Sequence, residues 1–411
     1  MKLIERESYL NELKNLTMTP DIKVITGVRR SGKSKLLEAL AGYLRANDQV
    51  ANVIHVNYNL TEFEGLLEYH ALEAYAEAHY QSGKNNYLMV DEIQMCPSFE
   101  KAINSLHAKE KFDIYVTGSN AFLQSSDLAT LFVGRTFEVQ VFPFSFVEYM
   151  TYFPSENRYR SLNSYITDGG MAGSYLYPNE VQKYRYINSE VLNALIVRDI
   201  LKKYKLKNET LLHELIDFLM DNIGNVTSIR SITDTLSSNH MKADHKTVSK
   251  YIDALCKAFA FYRVRRYDIK GKRYLKSEDK YYLVDHSFRF ARLGTRNMDY
   301  GRVLENIVAI ELLRRGYEVY VGVLYKKEID FVALKQGEKH YIQVANDISE
   351  PKTFEREVKP LLAIKDAYPK MIIARTYQPE YQYEGIRIID AAEWLNDLAP
   401  QNSLNEKVKV R

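Results

Sequence analysis

Apolar and polar positions along the first third of the chain alternate between two periods. Short apolar runs at 22–26, 53–57, 87–90, 113–117 and 136–141 read as buried strands. Between them, 33–45, 68–81, 98–109 and 123–132 repeat their apolar positions every three to four residues, the helical period. Strands alternating with helices predict a parallel sheet covered by helices, an α/β fold. From 157 to 207 the pattern is mostly helical, broken by Gly169-Gly170 and Pro178. A second helical block spans 211–259, with Ser228 the expected N-cap of one helix. In its last helix Val248, Tyr251, Ile252, Leu255 and Phe259 share one face. A two-strand ribbon over 261–276, turning at Lys270-Gly271-Lys272, follows. Beyond Val303 a helix to Arg315, strands near 317–323, 329–334 and 340–344, a helix after Pro351 and strands 371–374 and 386–389 predict a mixed α/β region. The polar tail after Leu398 is expected to fray.

Composition narrows the class. The 411 residues are 46% hydrophobic and 27% charged, which excludes an extended disordered protein and leaves room for two or three domains. The net charge is only +3, so an argument for nucleic acid has to come from local clustering. The two cysteines, Cys96 and Cys256, exclude a disulfide framework and fit a reducing, cytoplasmic setting. Apolar runs fall far short of the roughly 18 residues of a membrane span, and the first ten residues lack a signal-peptide core, so no membrane partner is expected. The 32 tyrosines read as bulk rather than as chemistry.

Chemistry enters at Gly27-Val28-Arg29-Arg30-Ser31-Gly32-Lys33-Ser34-Lys35, which matches G-x-x-x-x-G-K-[ST] between an apolar strand and a helix. The glycines let backbone N–H groups face phosphate oxygens, Lys33 is positioned for the β- and γ-phosphates, and Ser34 is a ligand for Mg²⁺. Arg29 and Arg30 read either as phosphate or interface residues or as local scaffolding. Fifty-eight residues after Lys33, the strand 87–90 ends in Asp91-Glu92. That spacing predicts Asp91 as a second metal ligand and Glu92 as the group that orients or deprotonates water. The strand 113–117 runs into Gly118-Ser119-Asn120, where Ser119 and Asn120 read either as γ-phosphate or water contacts or as a capping turn. Arg135, after the next helix, reads as a transition-state arginine in its own or a neighbouring subunit, or as a structural ion-pair partner.

Between Lys242 and Lys280 there are twelve basic against five acidic residues, a local +7 that leaves −4 for the rest of the chain. Lys246, Thr247 and Lys250 occupy the polar face of a helix, and Arg263, Arg265, Arg266, Lys270 and Lys272 line the ribbon. A helix beside a basic hairpin predicts a winged helix on duplex DNA; the alternative is a protein-docking or lid module with a solvated basic face.

GVRRSGKS, LMVDEIQ, VTGSN and FVGRTFEVQVFPFSFVEY together resemble the prokaryotic AAA-type ATPases that carry a C-terminal restriction-endonuclease-like domain. GKRYLKSEDKYYLVDHSFRFA is similar to the winged-helix end of that family. The resemblance implies an ATPase core over 1–152, a helical lid over 153–207, a winged helix over 208–298, a PD-(D/E)XK-like domain over 299–398 and a tail. It implies ATP and Mg²⁺ at Gly32, Lys33, Ser34, Asp91 and Glu92. In the nuclease-like region Glu305 is the helix acid and Asp330 the strand acid. The third position reads Gln343-Val344-Ala345, which lacks both the third acid and the lysine, so cleavage is doubtful. Lys326 and Lys327 are the nearest substitute amines in sequence. The expected activity is Mg²⁺-dependent ATP hydrolysis that switches a DNA-associated process. The alternatives are an ATP-gated switch on protein partners without DNA and, behind it, an ATP-dependent nuclease. A homo-oligomer is compatible with each.

Overall fold

The computed structural model describes residues 4–118, 132, 134–238, 243–295 and 298–397. The chain divides into two compact units, each discontinuous in sequence: Met1–Pro143, Met171–Thr210 and Lys250–Ala260 in one, Phe144–Gly170, Leu211–Ser249 and Phe261–Arg411 in the other.

The first unit holds a sheet of β1 (Ile22–Thr26), β2 (Ala51–Asn57), β3 (Asn85–Asp91), β4 (Asp113–Thr117) and β5 (Thr136–Gln140). Their order is β2-β3-β4-β1-β5, and every pairing is parallel. Side chains alternate between two packed faces. Ile22, Val24, Leu88 and Val90 meet Leu72, Ala102, Ile103 and Leu106, whereas Ile25, Tyr87 and Met89 meet Leu10, Leu13, Leu36, Leu37 and Leu40. A sheet covered on both faces needs strands that are apolar throughout, and β1 and β4 are buried at all five positions. Lys23 is the exception in β1; its buried ammonium sits 2.5 Å from Asp113 and 2.6 Å from the Thr19 carbonyl. This is the parallel, helix-covered sheet that the periodicity predicts. The helix expected over 123–132 lies outside the described residues except for Phe132, which is buried.

The second unit is built on one mixed sheet of eight strands: β6 (Phe261–Asp268), β7 (Arg273–Leu283), β8 (Glu318–Leu324), β9 (Lys327–Lys335), β10 (Glu338–Ala345), β11 (Lys370–Ala374), β12 (Tyr381–Tyr383) and β13 (Ile386–Asp390). Their order is β12-β13-β11-β10-β9-β8-β6-β7. The ribbon turns where expected, but it is not a free hairpin. β6 pairs with β7 on one side and in parallel with β8 on the other, through Arg266–Asp268 and Val321–Val323. The sheet therefore runs across the expected boundary at 298/299. Gly322 allows the junction, because a Cβ there would lie 2.8 Å from Ile329 and 3.0 Å from Ile269. Gly169 and Gly170, read as helix breakers, serve a close approach: Gly169 has φ +69°, and the Gly170 N–H donates to the buried Asp285 carboxylate at 2.7 Å.

Candidate nucleotide site

β1 delivers the chain to the loop at the C-terminal edge of the parallel sheet, where ligands bind in open α/β folds. Gly27 has φ +146°, and a Cβ would stand 2.2 Å from the Val141 carbonyl oxygen. Arg30 at φ +65° and Gly32 at φ +98° turn the backbone twice more before the helix Lys33–Asn47 starts. The loop is held from outside by Arg6, whose guanidinium donates to the Ser31 carbonyl at 2.8 Å and the Pro143 carbonyl at 3.4 Å and stacks 4.5 Å from the Tyr9 ring. The Tyr9 hydroxyl accepts the Phe142 N–H at 3.2 Å. Helix Glu7–Asn15 thus joins the loop to the end of β5. No sequence motif marks Arg6.

Lys33 is 5% exposed and folds back over the loop, donating to the Gly27 and Val28 carbonyls at 2.9 and 3.1 Å. Burial pushes its ammonium below the ordinary lysine range, against the pull of Glu92, Asp199 and Asp91. Asp199, from the 195–202 helical run, carries no motif either. Asp91 ends β3 almost fully buried. The Thr117 hydroxyl donates to its Oδ1, while its Oδ2 is buried with no hydrogen-bond partner among the described residues. The same Thr117 oxygen accepts the Glu92 N–H at 3.1 Å. Glu92 stands in the left-handed region at φ +56°, and its carboxylate accepts from the Gln94 amide. A non-glycine residue there is strained, and such strain gathers at functional sites. Thr117 is thus the residue that sets both acids. It was legible as the polar end of a strand adjacent to β3, although sequence reasoning singles out the two residues that follow Gly118.

The other candidates divide. Ser34 lies in the first turn of the 33–47 helix, and the Ser31 hydroxyl and Arg29 Nε are buried without hydrogen-bond partners among the described residues. Arg30 is exposed and lies toward Tyr186. The Lys35 ammonium is exposed and paired with Glu38 at 2.6 Å, away from a phosphate role. Ser119 and Asn120 lie outside the described residues. Arg135, expected as a transition-state arginine, stands away from the loop of its own subunit. Its carbonyl accepts the Ile22 N–H and Thr136 is level with Ile22, so it stands at the start of β1 while the loop lies beyond the other end. Four residues of strand, about 13 Å, separate the two levels.

The basic cluster is thinner than its count. Arg263 lies 3.8 Å from Asp279 and Arg266 is paired with Glu278, so two of the expected DNA contacts are engaged across the ribbon. Thr247 is engaged with the cap of its helix, its N–H and hydroxyl donating to the Asp244 carboxylate at 2.9 and 3.0 Å. Lys246, Lys250, Arg265, Lys270 and Lys272 are exposed, with Lys270 resting 4.8 Å from the Tyr325 ring.

In the second unit Glu305 and Asp330 do come together, around a cation not foreseen from sequence: Lys280 of β7, 2.8 Å from Glu305 and 3.9 Å from Asp330. Lys326 and Lys327 are exposed instead. Gln343 accepts the Asp330 N–H at 2.7 Å and donates to Glu357 at 2.9 Å.

A family profile described as an AAA domain matches residues 19–150, the sheet and loop just described, and one described as a domain of unknown function (DUF8612) matches 159–299. An uncharacterized protein of Haemophilus influenzae is 36% identical over 399 residues, 96% of this chain and 98% of its own. The chain belongs to that protein's family. Its AAA domain is of the P-loop type, and the mixed-sheet unit follows it. An uncharacterized protein of Methanocaldococcus jannaschii is 28% identical over 391 residues, 89% of this chain and 84% of its own. Among solved structures, AMPPCP-bound DnaA from Aquifex aeolicus aligns at 16% identity over 61% of this chain and 86% of that one, with a TM-score of 0.30. Among the described residues no helix is long and apolar enough to cross a membrane.

Proposed function

We propose that the protein is a Mg²⁺-dependent ATPase whose nucleotide state switches a DNA-associated activity. The observation that carries this reading is the Lys33–Asp91–Thr117–Glu92 constellation at the edge of a parallel sheet. A buried ammonium is parked on loop carbonyls, a buried carboxylate oxygen is left open, and a second acid is held in a strained backbone conformation. The residues fit a magnesium ion: Asp91 Oδ2 is a buried carboxylate oxygen without a hydrogen-bond partner among the described residues, and Ser34 lies in the first turn of the adjoining helix. Bound there, the ion neutralises phosphate charge. Lys33 leaves the Gly27 and Val28 carbonyls for phosphate oxygens. Thr117 keeps Asp91 and Glu92 in register, and Glu92 orients water and takes up its proton. Arg135, remote from its own loop, serves only a neighbouring subunit in this reading.

DNA association rests on the five exposed basic residues above. The ribbon's integration into a sheet, with two of its five expected DNA contacts internally paired, favours a second reading in which nucleotide state gates protein partners. Purified protein assayed for ATP turnover with and without duplex DNA, alongside its native mass, separates the two. Stimulation by DNA that weakens with salt supports the first, and DNA-indifferent turnover supports the second. No ATP turnover under any condition would overturn both.

A further inference from the structure

Four acids of the second unit, Glu305, Glu328, Asp330 and Glu357, converge on one region from two helices and β9. A nuclease of this architecture would hold its divalent ion there. The centre of that region is taken. Lys280 is 2% exposed, and its Nζ lies 2.8 Å from Glu305 Oε1, 2.8 Å from Glu328 Oε1 and 3.9 Å from Asp330 Oδ1. The buried Tyr282 hydroxyl donates to Glu305 Oε1 at 2.6 Å. The remaining ligand positions are engaged as well. Asp330 Oδ2 accepts the Val344 N–H at 2.8 Å, and Gln343 spends both ends of its amide, on the Asp330 N–H and on Glu357. On the far side of Glu305, Gly224 at φ +70° approaches so closely that a Cβ would lie 3.1 Å from Oε2.

A magnesium ion asks for oxygens near 2.0–2.1 Å in an octahedral shell that keeps several waters. An ammonium at hydrogen-bond distance from two carboxylates occupies that volume. Burial by itself would drive the Lys280 pKa down, but the carboxylates, Glu305 foremost, hold it above the ordinary lysine range, so the cation stays charged. The residues therefore do not fit a resident metal.

We infer that Lys280 is the built-in cation of this cluster: its ammonium replaces a divalent ion, makes the second unit independent of metal, and ties β7 to helix 300–314 and β9. The reading of the unit as nuclease-like sets only where an ion would be looked for. The inference goes beyond the ATPase reading and stands if that reading falls.

The test is Mn²⁺ binding by the full nucleotide-free chain, followed by the paramagnetic signal of free Mn²⁺ and by thermal unfolding with and without the ion. Wild type and Asp330→Asn should bind Mn²⁺ identically, because Asp330 ligates nothing. Lys280→Met keeps the stem and removes the charge. It should gain a Mn²⁺ site that raises its midpoint by a few degrees, and Asp330→Asn added to it should abolish the gain. If Lys280→Met does not fold in EDTA, either Mn²⁺ or a second change, Glu305→Gln, should restore cooperative unfolding, since each removes the uncompensated charge. Wild-type Mn²⁺ binding that Asp330→Asn abolishes would overturn the inference. So would a Lys280→Met protein that gains no ion site, or one that neither Mn²⁺ nor Glu305→Gln restores. ATP turnover is read separately and decides nothing here.

Discussion

At the scale of single residues the two acids after β3 divide their work by environment. Asp91 is buried with one oxygen open, whereas Glu92 is half-buried and held by its backbone. Glu92→Gln should therefore bind ATP as wild type and lose turnover by at least about 100-fold, measured by phosphate release beside a fluorescent-nucleotide titration. Turnover at the wild-type rate would remove Glu92 from the role of base. Lys33→Ala should lose nucleotide affinity itself. Burial lowers the Lys33 pKa, and phosphate would raise it again, so binding should take up protons at alkaline pH. Affinity should fall as pH rises through the lowered value, and calorimetry in buffers of different ionisation enthalpy reads the proton directly. Thr117→Val should cost turnover about 10- to 100-fold without unfolding the protein, because the hydroxyl orients both acids. The loop and the acid pair were legible because phosphate chemistry fixes residue types at fixed spacing. Arg6 and Asp199 were not, and Thr117 was legible only as the polar end of its strand, because each acts through an interaction that folding creates between distant parts of the chain.

At the scale of elements the loop is shaped by one steric fact. Gly27→Ala would put a methyl group 2.2 Å from the Val141 carbonyl oxygen at φ +146°, a strain of about 1–3 kcal/mol before the clash is counted. Lower stability in urea together with lost nucleotide binding is the expected outcome. The basic ribbon illustrates the limit of charge counting. Its turn and strands were legible from alternation and from Lys270-Gly271-Lys272. That Arg263 and Arg266 are drawn to Asp279 and Glu278, and that Lys280 is buried, depends on the register of β6 on β7 and on contacts to helix 300–314. Arg265, Lys270 and Lys272 changed together to Ala should flatten the salt dependence of duplex binding, by a slope of at most about 3. Arg266→Ala should leave that slope unchanged and loosen the ribbon instead. A slope unmoved by the triple change would take DNA away from this face.

At the scale of the whole molecule the sequence suggests a row of modules, whereas both units collect their segments from separated stretches of chain. Local periodicity identifies elements but not which strands share a sheet; the β6–β8 pairing joins residues more than fifty positions apart across an expected domain boundary. Cooperativity should follow the sheet. In native-state hydrogen exchange of the full chain, amides of β6 should open with the same free energy as those of β8–β10, because β6 is bonded on both edges and its loss exposes β8. An independent wing would exchange earlier, at a lower opening free energy. The Lys280 cluster sharpens the test. Lys280 lies on β7, while Glu305, Glu328 and Asp330 belong to the segments after 299, so the charges are compensated only when the ribbon is docked. Removing one partner of such a buried set costs about 3–5 kcal/mol. Lys280→Ala should lower the protection of β6–β7 and of β8–β10 together, and leave β1–β5 of the AAA domain unchanged. Protection lost in the ribbon alone would restore the boundary at 298/299 as a true division of the fold.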